Sequence, residues 1–297
     1  MNGQLGAMTP LYDPVGYRLE PSYQLSVGND QVNLNDWIGQ GISLTYLHNL
    51  ECVHCAKKIR KRYPGGYCYD CFTTLARCDL CVMSPERCHF HLGTCREPEW
   101  GEDFCMQPHS VYLANTSGPK IGITRVGRER RRWLDQGATQ AIRIATVPTR
   151  RAAGVVEAHF KRTLNDRTDW RKMVSGTGIS VDLLELAGQL QRDLPLLADI
   201  EANILPATEI AGLDWSIDSQ VTEICYPVNQ YSPAKRLVLG MQNLLIRDNL
   251  QGIIGQYLLL SGGVINLRDY AGCDVSVALG PAFPAAELDN SDQLSLF

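Results

Sequence analysis

The chain has 297 residues, 44% of them hydrophobic and 20% charged, with a formal net charge of −4. That is ordinary globular composition, and the length suffices for two or three domains with a real core. No run of eighteen apolar residues exists to span a membrane. The opening MNGQLGAMTPLYDP has neither the basic nor the apolar region of a secretory signal, so a cytoplasmic location is expected.

The charge is unevenly spread. Between Lys120 and Lys172 there are 14 Lys/Arg against 5 Asp/Glu, while the rest of the chain carries 14 basic and 27 acidic residues. One basic segment in an acidic protein points to a polyanion at that segment, the alternative being a solvated face.

Residues 1–50 are β-like. YQLSVGNDQVNLNDWIGQGISLTYL places Gly-Asn-Asp as a turn between short apolar runs. Residues 51–109 are cysteine-rich, with nine of the eleven cysteines between Cys52 and Cys105. Cys52-x2-Cys55 and Cys68-x2-Cys71 flank a Pro64-Gly65-Gly66 turn, the spacing of a zinc ribbon closed by four thiolates. A disulfide framework is the alternative, disfavoured in a cytoplasmic chain. Cys78 and Cys81 anchor a second expected zinc. Its other ligands are ambiguous among Cys88, His89, His91 and Cys95, with Cys105 and His109 close behind; Cys88 and Cys95 are preferred, and the knuckles can also pair across sites. A closed tetrathiolate site has no open position for substrate, so both zinc ions are structural. Cys225 and Cys273 stand alone and are expected to be small buried hydrophobes.

Residues 110–175 follow a different pattern. Val111-Tyr112-Leu113 and Ile121-Gly122-Ile123 flank Asn115-Thr116-Ser117-Gly118-Pro119 and predict a β-hairpin. The arginines from Arg128 lead into a helix around Trp133-Leu134, and AIRIATVP predicts a third strand. RRAAGVVEAHFKRTL predicts a second helix with Val156, Phe160 and Leu164 on one face.

A strand with tyrosine, a turn, a strand with Ile-Gly, a helical arginine and a later helical glutamate together resemble the GIY-YIG nuclease superfamily over about 110–172. More broadly, CREPEWG, VYLA, KIGIT, RWLDQGA and GQYLLL resemble a microbial domain-of-unknown-function family over most of 23–280. Its members join a cysteine-rich part to such a core. The resemblance implies an α+β fold: a zinc-ribbon-like module, then a small GIY-YIG-like mixed α/β core, with flanking β-rich and helical segments. It matches Tyr112 to the first-motif tyrosine, Gly122 to the second-motif glycine, Arg132 to the catalytic arginine (Arg128 and Arg131 remaining candidates) and Glu157 to the ligand of a catalytic Mg2+ or Mn2+. Lys120 stands where the second motif usually has tyrosine, which leaves the general base open between Tyr112 and Lys120. Arg125, Arg128, Arg130 and Arg131 would grip flanking phosphates without reading sequence. The plain alternatives are a strand aromatic at Tyr112 and a solvated Glu157 beside Lys161. His159 is expected at the surface or in packing.

Residues 176–280 begin with ISVDLLELAGQLQRDLPLLADIEANIL, helical by period and broken or bent at Pro195. LQGIIGQYLLLSGGVINLRDYAGCDVSVAL then reads as two or three strands with a Ser-Gly-Gly turn. Ile-Gly-Gln recurs at 38–40 and 254–256, either an internal echo that joins the two ends in one β unit or a coincidence. From Ser180 onward 15 acidic and 5 basic residues carry no evident chemistry.

Residues 281–297 read as an unpacked tether presenting Gln293, Leu294, Ser295, Leu296 and Phe297. This ending resembles the peptide with which bacterial replication and repair proteins bind the sliding clamp: glutamine for polar contacts, leucine and phenylalanine for an apolar cleft. The combined expectation is a metal-dependent DNA endonuclease of replication or repair recruited by the clamp. Its rival is a non-catalytic DNA-binding or adaptor protein; an RNA-processing factor fits the zinc and arginines but not the tail.

Overall fold

The structure is a computed structural model that describes residues 1–164, 168–192 and 212–284. It is an α+β, β-rich molecule. The N-terminal part runs β1 (Asn2–Gln4), β2 (Thr9–Leu11), β3 (Arg18–Leu19), β4 (Ser22–Val27), β5 (Asp30–Asn33) and β6 (Gly41–Leu50). The cysteine-rich part holds only short helices, α1 (Tyr69–Thr74), α2 (Leu80–Met83) and α3 (Pro98–Phe104), with 3-10 turns between them. There follow β7 (His109–Asn115), β8 (Pro119–Arg125), α4 (Glu129–Asp135), β9 (Gln140–Val147), α5 (Arg150–Phe160), α6 (Trp170–Val174) and α7 (Leu183–Arg192). The chain closes with β10 (Thr222–Ile224), β11 (Leu245–Ile254), β12 (Tyr257–Leu260), β13 (Gly263–Asn266) and β14 (Cys273–Gly280).

Two sheets organise these elements. The first has strand order β1-β14-β6-β11-β12-β13, so strands from both ends of the chain share it; β2-β4-β5 form a small sheet joined to it by the Leu5–Val27 bridge. The second has order β3-β10-β9-β7-β8, with the expected β7–β8 hairpin at one edge and β10 and β3 added from outside 110–175. Helix α5 starts at Thr149, whose hydroxyl accepts from Ala152 N (3.1 Å), and buries Val155, Val156 and Phe160 against Val111, Leu113, Ile121 and Ile123. Leu164 packs at the margin of that core. The expected long helix is present as α7, whereas Pro195 lies outside the described residues.

The first sheet and the small β2-β4-β5 sheet together are one unit built twice. Residues 23–44 and 256–277 align in register by element order: strand, two-residue turn, strand, 3-10 turn, strand. Leu25 corresponds to Leu258, Leu34 to Leu267, Asp36 to Asp269, Gly39 to Gly272 and Ser43 to Ser276. Asn33 and Asn266 cap their turns alike, each accepting at 3.1 Å from the backbone N two residues on. The preceding strands obey the same relation, for Thr9 faces Gln24 as Ile254 faces Tyr257, and Asn2 faces Ser276 as Arg247 faces Ser43. Leu44 and Val277, equivalent by position, are directly paired between β6 and β14, so a pseudo-two-fold axis passes between them. Equivalent residues fill one core: Leu5 with Leu250, Met8 with Ile253, Val27 with Leu260, Ile42 with Val275. The Ile-Gly-Gln stretches are not the equivalent positions. The first leads into β6 while the second turns from β11 to β12, and the true partner of 38–40 is 271–273.

Cys273 is buried in this core, as expected of a lone cysteine. Cys225 corrects that expectation. It is exposed because β10 alternates, with Thr222 and Ile224 buried, Glu223 exposed, and Cys225 falling on the outward phase.

The duplicated glycines are not equally constrained. Both lie in the left-handed region, Gly39 at φ +90° and Gly272 at +79°, where a side chain is strained. A Cβ at Gly39 would meet only Asn229 Nδ2 at 3.7 Å, whereas at Gly272 it would collide with the Glu51 carbonyl that leads into the cysteine-rich part. Gly39→Ala should therefore cost about 1 kcal/mol. Gly272→Ala should cost on the order of 3 kcal/mol, and urea unfolding of the two variants checks the order.

Candidate catalytic centre and cysteine sites

Tyr112 lies in the middle of β7, directly opposite Gly122 on the edge strand β8. Its ring crosses the space a side chain at 122 would fill: a Cβ there would sit 2.5 Å from the phenol oxygen. Glycine at 122 thus makes room for the phenol beside β8. The ring is fully buried and meets Trp133 of α4 edge-on (6.1 Å between centroids).

Arg132 and Gln136 are one turn apart on the α4 face that meets this phenol. With its amide oriented to satisfy both ends, Gln136 accepts from Arg132 Nε (2.9 Å) and Nη2 (3.0 Å) and donates to the Tyr112 hydroxyl (3.0 Å). The Arg132 guanidinium lies close enough to the phenol to act on it electrostatically. Burial nevertheless holds the Tyr112 pKa above its ordinary value, overriding the opposing pull of Arg132. The tyrosine is therefore protonated near neutrality.

Glu157 projects from α5 into the same neighbourhood and acts electrostatically on Tyr112. It is mostly buried, and burial raises its carboxyl above the ordinary range against Lys161 (3.4 Å away, one helical turn on), Arg132 and Arg150. Tyr112, Arg132 and Glu157, from three elements, thus lie within electrostatic reach of one another. Lys120 is buried on β8 and reaches toward Thr168 Oγ1 (3.4 Å) beyond the hairpin turn. His159 is half-buried with its ring edge-on to Phe160.

The four flanking arginines divide. Arg131 bonds the Met8 carbonyl (3.1 Å) and Asp135 (3.1 Å), and Arg130 bonds the Gly16 carbonyl (2.7 Å); both are occupied in fastening α4 to the N-terminal part. Arg125 stacks on Phe104 (4.5 Å). Arg128 is exposed and makes no side-chain hydrogen bond or ion pair among the described residues. Gln136 and Arg150 were missed by motif matching because neither occupies a motif position. Their signal was spacing, four residues after Arg132 and seven before Glu157, which returns each to its partner's helix face.

In the cysteine-rich part, the sulfurs of Cys52, Cys55, Cys68 and Cys71 all lie within 4.8 Å of one another, a donor set that can hold a metal ion such as zinc. Gly65 (φ +84°) and Gly66 (φ +89°) make the turn that folds one knuckle onto the other. Burial opposes ionisation of Cys52, but backbone N–H groups of Cys55, Cys68 and His54 bring its thiol down to about 6. Cys78 packs against this first cluster, whereas Cys81, Cys88 and Cys95 lie together further along.

The chain belongs to the family described as "Protein of unknown function (DUF2797)", which it matches over residues 39–275. No curated protein and no solved structure gives a match. Among the described residues no helix is long and apolar enough to cross a membrane.

The raised Glu157 carboxyl has a consequence for stability. The folded state holds this proton more tightly than the unfolded chain, so the associated stability is full below the ordinary glutamate pKa and is lost as pH rises through the raised value. Glu157→Gln mimics the protonated form. Its melting temperature should exceed the wild type's at pH 7–8, and the two should converge at about pH 4; thermal melts across that range test this.

Proposed function

We propose that this protein is a metal-dependent DNA endonuclease acting in replication or repair, recruited to the sliding clamp by residues 293–297. The observation that carries the catalytic part is that Tyr112, Arg132 and Glu157, from three different elements, act electrostatically on one another. Sheet packing alone does not call for an arginine, a buried carboxylate and a buried phenol at one point, and such convergence is typical of a functional site.

Each residue has a chemical task in this reading. Arg132 is exposed, so its guanidinium can offer parallel N–H donors to phosphate oxygens. The Tyr112 oxygen accepts from Gln136, which leaves its own proton to orient a water or the leaving oxygen. Because its pKa is raised, orientation rather than proton abstraction is its role in the free protein. Arg125 and Arg128 flank the site for further phosphates. Glu157 offers one carboxylate among cations, which fits Mg2+ or Mn2+ only together with a substrate phosphate, the usual mode for Mg2+. When bound there, the ion supplies Lewis-acid stabilisation of the phosphoryl oxygens.

The second reading is a DNA binder without cleavage. It is favoured by Lys120, which stands at the usual tyrosine position and reaches toward Thr168.

Labelled single-stranded, duplex, flap and fork DNAs, incubated with Mg2+ or Mn2+, decide between the two. Cutting is expected, lost in Glu157→Ala and reduced on the order of 10²–10³-fold in Arg132→Ala. Binding without cutting by the folded wild type would establish the second reading.

The clamp peptide, Gln293, Leu294, Ser295, Leu296 and Phe297, lies outside the described residues, and its proposal rests on the sequence. Replacing Leu294 and Phe297 together with alanine should weaken retention on immobilised clamp at least tenfold. Unchanged retention would remove the clamp from the proposal.

A further inference from the structure

We propose that Cys81, Cys88, Cys95 and Cys105 form a second tetrathiolate site for Zn2+, and that this site is the platform on which α5 is mounted. The four residues belong to different pieces of chain: α2, the end of the 3-10 turn at 85–87, the link before α3, and the end of α3. All four line one cavity between those pieces, together with Asp79 and His89. None is in a disulfide. A Cβ on Gly101 would come within 3.2 Å of Cys95 Sγ and 2.8 Å of the Phe90 ring, so the chain is drawn tightly around this point.

This part of the protein has no apolar core of its own among the described residues. No hydrophobic cluster among the described residues includes any residue from 79 to 108. Its largest aliphatic side chains face solvent instead, Leu80 at 74% exposure, Met83 at 80% and Leu92 at 66%. The helical pieces run three to seven residues, too short to persist unaided. Small units without a core are stabilised by metals or disulfides, and four free thiols lining one cavity point to the metal.

Two other ligand choices fit less well. Asp79, Cys81 and His89 offer atoms within 4.8 Å of one another, closer than the four thiols, which share the cavity lining. However, Asp79 is committed as the cap of α2, accepting from Cys81 N (3.2 Å), and to Arg96 (2.7 Å). His89 is tied to Thr94 Oγ1 (2.7 Å) and faces Asp79 (3.6 Å). These groups orient and neutralise the site's surroundings. Cys78 is packed on the first cluster, which already has four sulfurs.

The site leads directly to α5. The Cys105 carbonyl accepts from Arg150 N (2.8 Å), and the Val82 carbonyl accepts from Arg150 Nη2 (2.7 Å). Gly154 rests on Pro85, where a Cβ would lie 2.5 Å from the proline ring. Arg150 in turn acts on both Cys105 and Glu157, so the thiolate site and the candidate centre share one cation.

The test uses the full chain purified with zinc and then exchanged with cadmium. Elemental analysis should find two metals per chain, and cadmium-113 NMR should show two resonances in the all-thiolate range. Cys105→Ser should lose one metal and one resonance, while Cys78→Ser and His89→Ala should keep both. A single metal in the wild type, a resonance in the three-sulfur-one-nitrogen range, or loss of a metal in Cys78→Ser but not in Cys105→Ser would overturn the assignment. The wild-type measurements decide even if Cys105→Ser fails to fold.

Discussion

The pairing of β6 with β14 is the constraint on which the rest depends. It ties residues 41–50 to 273–280 along most of their length. Everything between therefore leaves and re-enters one β unit. Closing so long a loop is tolerable because the entropic cost grows only with the logarithm of its length. The return is a single apolar core to which both duplicated halves contribute. The cysteine-rich part leaves from the end of β6 and remains in contact with the closing strand, since Arg62 donates to Cys273 Sγ (3.4 Å) and Gly66 approaches the Ala271 carbonyl.

The candidate centre is fastened to this unit through a small polar seam. Gln256, at the turn between β11 and β12, bonds both the N–H and the carbonyl of Met8 and reaches Asp135 (3.1 Å). Asp135 holds Arg131, which completes the circuit at the Met8 carbonyl. All members are satisfied, as a largely buried polar network requires. The seam fixes the turn phase of α4, and so the direction of Arg132 and Gln136. On the far side, α5 is set by the cysteine-rich part at Arg150 and Gly154. The centre is consequently held from two directions, by the duplicated β unit and by the cysteine-rich part.

Some of this was legible in the chain. The β7–β8 hairpin, the strand at β9 and helices α4 and α5 follow from alternation, turn residues and four-residue spacing, all of which are local. The first cysteine cluster was equally legible because two knuckles report their own geometry. The duplication was only half visible. Ile-Gly-Gln, the recurring word, marked non-equivalent turns, while the true correspondence (Leu34 with Leu267, Asp36 with Asp269, Gly39 with Gly272) was diluted by conservative changes and by a longer first loop. The exposure of Cys225 was misjudged because an isolated cysteine's side depends on strand phase, which β10 acquires only by pairing.

The sequence by itself determined which residue types are present for chemistry: a tyrosine opposite a glycine, helical arginine and glutamate, and thiols at knuckle spacing. These are properties of short segments, governed by backbone preference and side-chain period. Only the tertiary structure decided which of them meet. It placed Arg130 and Arg131 in a structural seam and left Arg128 to solvent. It also packed Cys78 against the first cluster and put Cys105 in the lining of the cavity with Cys81, Cys88 and Cys95. Those choices depend on the crossing of distant strands and the docking of helices on them, and close packing admits one arrangement that no local spacing encodes.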